Sequence, residues 1–130
     1  MILVVRVKLA VMEEAGDVLP GNILPGNILP GVKLALYDRD KTDEDDFLAS
    51  GQTGENGEAR LVFDSDQYTD KEDQPAWRLD SMPDLYVKVY DHQGEEIYST
   101  RDRTVDDRLP DLITVALPKE LADQHHLLPD

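Results

Sequence analysis

Residues 32–63, VKLALYDRDKTDEDDFLASGQTGENGEARLVF, set the architecture of this chain. Val32, Leu34 and Leu36 alternate with other residues, a pattern typical of a strand with one buried face. An acidic loop at residues 38–46 follows, and then come two apolar runs separated by Asn56-Gly57, a strong hairpin signal. The stretch therefore predicts a strand, an acidic loop, a strand, a turn and a strand.

The same alternation continues on both sides of this stretch. It predicts seven short strands with turn signals between them and no long helix, although one helical turn is expected around residues 120–122. We interpret the chain as all-β, with one antiparallel β-sandwich of about seven strands at residues 1–118 and a C-terminal tail at residues 119–130. The predicted strands are residues 2–12, 32–37, 47–53, 59–63, 85–90, 97–100 and 112–117.

Composition excludes several classes of partner. The 130 residues fit one domain, and the net charge of −15 disfavours nucleic acids as partners. No apolar run reaches the length of a membrane span, so membrane insertion is not expected. The absence of cysteine and the two basic residues within residues 1–12 predict a protein that is cytoplasmic, or exported without a recognisable signal peptide.

A five-residue unit, LPGNI, repeats at residues 19–28 and begins again at residues 29–31. Each Pro-Gly pair favours a tight turn, so we interpret residues 19–31 as a loop insertion that was lengthened by duplication. The alternative is that the apolar residues of this loop contact a protein partner, since long irregular loops are often functional. The candidate partner-binding residues are Ile23, Leu24, Ile28 and Leu29.

The loop at residues 38–46 places six carboxylates within nine residues. Calcium takes six to eight oxygen ligands, so the loop is a candidate calcium site, with Asp84 or Asp91 as a further source of oxygen. The alternative is a solvated loop whose charges keep an edge strand from pairing with neighbours. A second, weaker metal candidate is His125-His126 with Asp123. The candidate calcium ligands are Asp38, Asp40, Asp43, Asp45 and Asp46.

Two resemblances bear on the fold and on this loop. Residues 29–40, LPGVKLALYDRD, and residues 45–59, DDFLASGQTGENGEA, resemble the transthyretin-like family, and residues 83–90, PDLYVKVY, resemble a later strand of its members. The resemblance covers about residues 29–100 and implies a transthyretin-like or immunoglobulin-like sandwich. The Asp-x-Asp-x5-Asp spacing that begins at Asp38 is also similar to a calcium-binding loop of synaptotagmin phospholipid-binding domains.

No catalytic constellation stands out in the sequence. The tetrapeptide Tyr-Arg-Gly-Ser that ends the 5-hydroxyisourate hydrolases, which resemble transthyretin, is missing here, so that activity is not expected. The sequence therefore favours a non-enzymatic transthyretin-like module that binds a protein partner or associates with itself. The alternatives are a calcium-binding sandwich whose loop at residues 38–46 regulates partner binding, and a hydrolase on the same fold.

Overall fold

The computed structural model describes residues 2–12, 28–39, 44–64, 84–105 and 110–127. These residues form a three-stranded sheet, in the order β4-β1-β7, and a four-stranded sheet, in the order β3-β2-β5-β6. The predicted all-β sandwich of seven strands is confirmed. The strands are β1 (Ile2–Met12), β2 (Lys33–Asp38), β3 (Asp46–Gln52), β4 (Glu58–Asp64), β5 (Leu85–Tyr90), β6 (Glu96–Ser99) and β7 (Leu112–Pro118), and the helix is α1 (Lys119–Gln124).

Alternating apolar residues of both sheets meet between them and form one core. The inward side chains of β2 and those of β1 from Val5 to Val11 are buried, as the period of two along each strand predicts, and Leu3 is partly buried against them. Strands β1 and β5 have the predicted bounds, and the other strands differ from the predicted bounds by one residue at one or both ends. Helix α1 contributes Ala122, and Leu127 follows it into the same core, so both pack against the sandwich.

One strand pair runs in a direction that the alternation did not predict. Strand β7 pairs with β1 in parallel, with Arg6 opposite Leu112, whereas the other strand pairs are antiparallel. The reason is topological, because β7 follows β6 of the other sheet and crosses the sandwich to reach β1 instead of returning through a hairpin. The three-stranded sheet is therefore mixed.

One lateral side of the sandwich is closed by the turn at residues 53–57, which joins β3 to β4. The Asn56-Gly57 signal predicts a hairpin, but β3 and β4 belong to different sheets, so this turn carries the chain from one sheet to the other. Thr53 is buried, and its hydroxyl donates to the Leu29 carbonyl at 2.5 Å and accepts from the Val32 N–H at 2.9 Å. The carbonyl of Gly57, in the same turn, accepts from the Leu9 N–H at 2.8 Å. These bonds tie the turn to both sheets, and we call this side the closed edge.

The opposite lateral side lies between β6 and β7. The closed edge places β3 of the four-stranded sheet beside β4 of the three-stranded sheet. Because the first sheet has one strand more, its last strand, β6, extends beyond the three-stranded sheet. We call this side, between β7 and β6, the open edge. Helix α1 has six residues, and no helix within the described ranges is long and apolar enough to cross a membrane.

Candidate binding site

The acidic loop reaches the sandwich at the end where β2 finishes and β3 begins. Asp38 lies opposite Asp46 in the β2–β3 ladder, and Asp45 precedes β3. Asp40 and Asp43 lie outside the described residues, so their place in the predicted calcium site is not described. The structure therefore brings Asp38 and Asp46 together at one end of the four-stranded sheet.

The Asp45 carboxylate is the centre of a polar cluster. Its Oδ2 accepts from the Arg101 Nε at 2.7 Å and from the Tyr86 hydroxyl at 2.5 Å, and its Oδ1 lies 3.4 Å from the Arg101 Nη2. Burial and the hydrogen bond to Asp45 raise the pKa of Tyr86 above its usual range, while the Asp45 carboxylate raises the pKa of Arg101. The sequence predicts Asp45 as a calcium ligand. In the structure, the negative charge of Asp45 is compensated by Arg101.

The two carboxylates considered as additional calcium ligands lie at opposite ends of β5. The Asp84 N–H donates to the Asp38 Oδ1 at 2.9 Å, so Asp84 adjoins the acidic loop. Asp91 follows the other end of β5, where its Oδ1 accepts from the Gln93 and Glu95 N–H groups, each at 2.9 Å. Among the described residues, no group of three or more His, Asp or Glu side chains is arranged to hold a metal ion. Calcium binding stays a prediction.

The histidines of the second metal candidate hold the C-terminal segment against the β5–β6 turn. His125 Nδ1 lies 3.4 Å from the Asp91 Oδ2, and the His92 Nε2 lies 3.2 Å from the His126 carbonyl oxygen. The Glu95 N–H, the Gln93 N–H and the nearby His125 lower the pKa of Asp91 against the opposing effect of burial. These contacts make the His125 side chain and the His126 backbone carbonyl parts of a structural attachment.

The predicted partner-binding residues of the LPGNI loop have two different outcomes. Leu29 is fully buried in the core, so its side chain is occupied by the fold. Ile28 is half-buried, pairs with Ala10 in an isolated bridge and touches the turn at Gly57. Ile23 and Leu24 lie outside the described residues, and the prediction for them stays untested.

The outer face of the four-stranded sheet carries aromatic side chains that mainly contact one another. The Tyr37 ring stacks on Tyr86 with 5.5 Å between ring centroids and meets Phe47 edge-on at 5.6 Å. The Lys88 ammonium lies 4.5 Å from the Tyr37 ring centroid and 3.1 Å from a carboxylate oxygen of Glu96. Since its charges and rings have partners within the sheet, this face is a weak candidate for binding.

Strand β7 leaves a row of backbone groups without strand partners in the described part of the chain. The Arg6 N–H donates to the Asp111 carbonyl at 3.1 Å, which fixes the parallel register. In this register the backbone N–H and C=O groups of Ile113, Val115 and Leu117 point toward β1. The N–H and C=O groups of the intervening residues therefore point away from β1, along the open edge. These residues are Leu112, Thr114 and Ala116.

The other edge strands carry features that discourage pairing with a further strand. Strand β3 has an irregularity in its register opposite Leu36 and Tyr37, β4 carries charged residues, including Arg60, and β6 has four residues. Strand β7, LITVALP, has seven residues, no charged side chain, no register shift against β1, and a proline only at its last position. By the same criteria, β7 is the least protected edge among the described strands.

A cleft of about 290 Å³ runs beside this unprotected edge. One wall is formed by residues 112–116 of β7. The other wall lies on the side of the four-stranded sheet and includes Leu85, Tyr98 and Val105. Arg103 is the charged residue of the lining, where its guanidinium donates to the Tyr98 hydroxyl. The volume is slightly below the range for pockets that enclose small ligands, roughly 300–1,000 Å³, whereas the long strand edge beside the cleft suits an extended chain.

Sequence reasoning located β7 as a strand but missed it as a site. The signal was the absence of charge in residues 112–118, which becomes meaningful only when β7 is known to be an edge. Alternation along a strand shows which face is buried, but it does not show which neighbour is missing. The β7 edge and its cleft are therefore the candidate binding site.

The comparisons with known proteins add little to this geometry. No protein-family model matches the chain, and no curated protein is detectably similar to it in sequence. One solved structure, a 9R-lipoxygenase from Cyanothece PCC8801, is similar over 90% of this chain with 18% identity and a TM-score of 0.49. The chain spans 16% of that lipoxygenase chain, and a similarity at this level carries no argument about function.

Proposed function

We propose that this chain is a non-enzymatic β-sandwich module that binds a protein partner at the open edge. The observation that carries the proposal is the uncharged, regular β7, whose outward N–H and C=O groups border a cleft. Unpaired strand edges are ready templates for another chain, and natural proteins usually protect them. The transthyretin-like resemblance of residues 29–100 is compatible with a binding module and is part of the proposal.

The absence of cysteine from the sequence permits a site-specific cross-linking test. A photo-cross-linker is attached at Ala116→Cys on the open edge, and in a separate variant at Val62→Cys, an exposed position on β4. Each labelled protein is irradiated in extract from the native host, and the cross-linked proteins are identified by mass spectrometry. We expect a defined product from position 116 that is not formed from position 62.

A second substitution decides whether the product depends on the strand edge. Thr114→Pro removes one outward N–H of β7 without changing the buried residues on either side of it. Combined with Ala116→Cys, it should abolish the product, whereas Thr114→Ala, which keeps the N–H, should retain it. No product from position 116, or equal products from both labelled positions, would contradict the proposed function.

A further inference from the structure

We infer that the partner contributes one extended segment, which pairs with β7 and fills the cleft as the missing fourth strand of the three-stranded sheet. This inference rests on the proposed function and specifies the chemistry of the partner. The segment is one strand wide, has apolar side chains at alternate positions, and carries a carboxylate where it passes Arg103.

The unequal strand numbers define the width of the site. On the closed edge, a short turn joins β3 of one sheet to β4 of the other, so the spare strand of the four-stranded sheet is β6 at the other side. The position opposite β6 and beside β7 is the cleft, because the cleft has Tyr98 on one wall and residues 112–116 on the other. An added strand would make both sheets four-stranded.

The same geometry disfavours a second copy of this chain that pairs through its own β7. In such a symmetric dimer, the four-stranded sheet of each copy would pack against its own three-stranded sheet, including β7. The β6 strand of each copy would then need the space that the other copy's sheet occupies. The net charge of −15 on each copy also opposes close association of two chains.

The lining of the cleft specifies the side chains of the segment. Tyr98, Val105 and Ile113 keep accessible surface in the cleft and offer apolar contacts to alternate side chains of an added strand. Arg103 provides the positive charge among the described lining residues, and its one carboxylate contact there, to Asp102 at 3.6 Å, is solvent-exposed, so a carboxylate on the segment is favoured at that end. The outward backbone groups of β7 supply hydrogen bonds that do not depend on the sequence of the segment.

A synthetic peptide library tests this inference directly. Its seven-residue members carry Val, Ile or Leu at alternate positions and Thr or Ser between them, with Asp or Lys at either end. Hydrogen exchange of the full chain is then followed by NMR at saturating peptide. We expect the best Asp-ended members to slow exchange at Thr114 and Ala116 at least tenfold, while amides in the β1–β7 ladder, such as Val115, change little.

Two matched controls separate strand addition from other binding. Methylation of alternate backbone nitrogens in the best peptide keeps its side chains but should weaken binding at least tenfold, as should Thr114→Pro in the protein. Arg103→Gln should reduce the preference for Asp over Lys at the peptide end, with Arg60→Gln at an exposed position of β4 as the control for the loss of one positive charge.

The outcomes distinguish this inference from the proposed function. If a partner cross-links at position 116 but no library member slows exchange of β7, the function stands and the added strand is contradicted. Equal binding by the methylated peptide would contradict it as well. A dimer detected by light scattering and abolished by Thr114→Pro would replace the partner segment with a second copy.

Discussion

The closed edge and the open edge of this sandwich differ in how the backbone groups of their strands are satisfied. At the closed edge, the turn that begins at Thr53 satisfies backbone groups beside both sheets and leaves no room for a side chain at Gly57. At the open edge, β7 exposes backbone groups beside a cleft of about 290 Å³. The difference predicts that stability is concentrated on one side of the molecule, and it is the basis for proposing that the other side binds a partner.

Gly57→Ala should cause the largest loss of stability among the substitutions at the closed edge. Gly57 has a φ of +76°, and an added Cβ would lie 2.9 Å from the Ile28 Cβ and 3.0 Å from the Leu9 carbonyl oxygen. Backbone strain and overpacking together predict a loss of about 2–4 kcal/mol in the free energy of unfolding. Denaturant unfolding followed by circular dichroism measures it.

Gly94→Ala is the matched control, because Gly94 has a φ of +86° but nothing within 4 Å of an added Cβ. It should lose only the strain, about 1–2 kcal/mol. Equal losses at the two glycines would mean that the close packing at the closed edge contributes little.

Thr53→Val tests the hydrogen bonds of the closed edge. Valine keeps the shape of threonine but leaves the Leu29 carbonyl and the Val32 N–H without the Thr53 hydroxyl. Unsatisfied buried polar groups predict a loss of about 2 kcal/mol in the free energy of unfolding, measured by urea titration. Thr53→Ser keeps the hydroxyl and should lose less than half as much, and a reversed ranking would assign the effect to packing of the methyl group.

The acidic loop leads into β3 on the side of the closed edge. A calcium titration tests whether this loop also binds a cation. If the loop binds calcium with a Kd of about 1 mM, as many extracellular sites do, then about 10 mM calcium should stabilise the protein by about 1.4 kcal/mol. Differential scanning fluorimetry should show a rise of a few degrees in Tm. Magnesium at the same concentration is the control for ionic strength.

The combined substitutions Asp38→Asn and Asp46→Asn should remove this rise if the two facing carboxylates are ligands. An unchanged Tm in calcium and in chelator would contradict the calcium hypothesis. The structure would then leave the loop as a polar connection in which Asp45 holds Arg101 and Tyr86.

The sequence predicted the strands more fully than their arrangement, for a physical reason. Alternation in residues 2–12 and 85–90 reports burial of one face, which each strand encodes locally. The pairing of Asp45 with Arg101 joins residues 56 positions apart, and the parallel contact of β7 with β1 depends on how the chain crosses between sheets. Neither contact leaves a local pattern in the sequence, so the polar cluster and the open edge could be recognised only in the structure.

Thr114→Pro should have the smallest effect on stability, although it lies within a strand. The Thr114 N–H points away from β1, so proline removes a donor without a strand partner in the described structure, and edge positions of this kind tolerate proline. We expect a loss of no more than about 1 kcal/mol in the free energy of unfolding, close to that of an ordinary surface substitution.

Proline one residue further along provides the sharpest test of this interpretation. Val115 is buried, and its N–H points toward β1, so Val115→Pro removes a ladder hydrogen bond and should destabilise the protein far more than Thr114→Pro. If the two variants unfolded at the same urea concentration, the assigned direction of the β7 backbone would be wrong. A large difference would establish that alternate residues of one strand serve different purposes, with Val115 holding the sheet and Thr114 facing the site where a further strand can add.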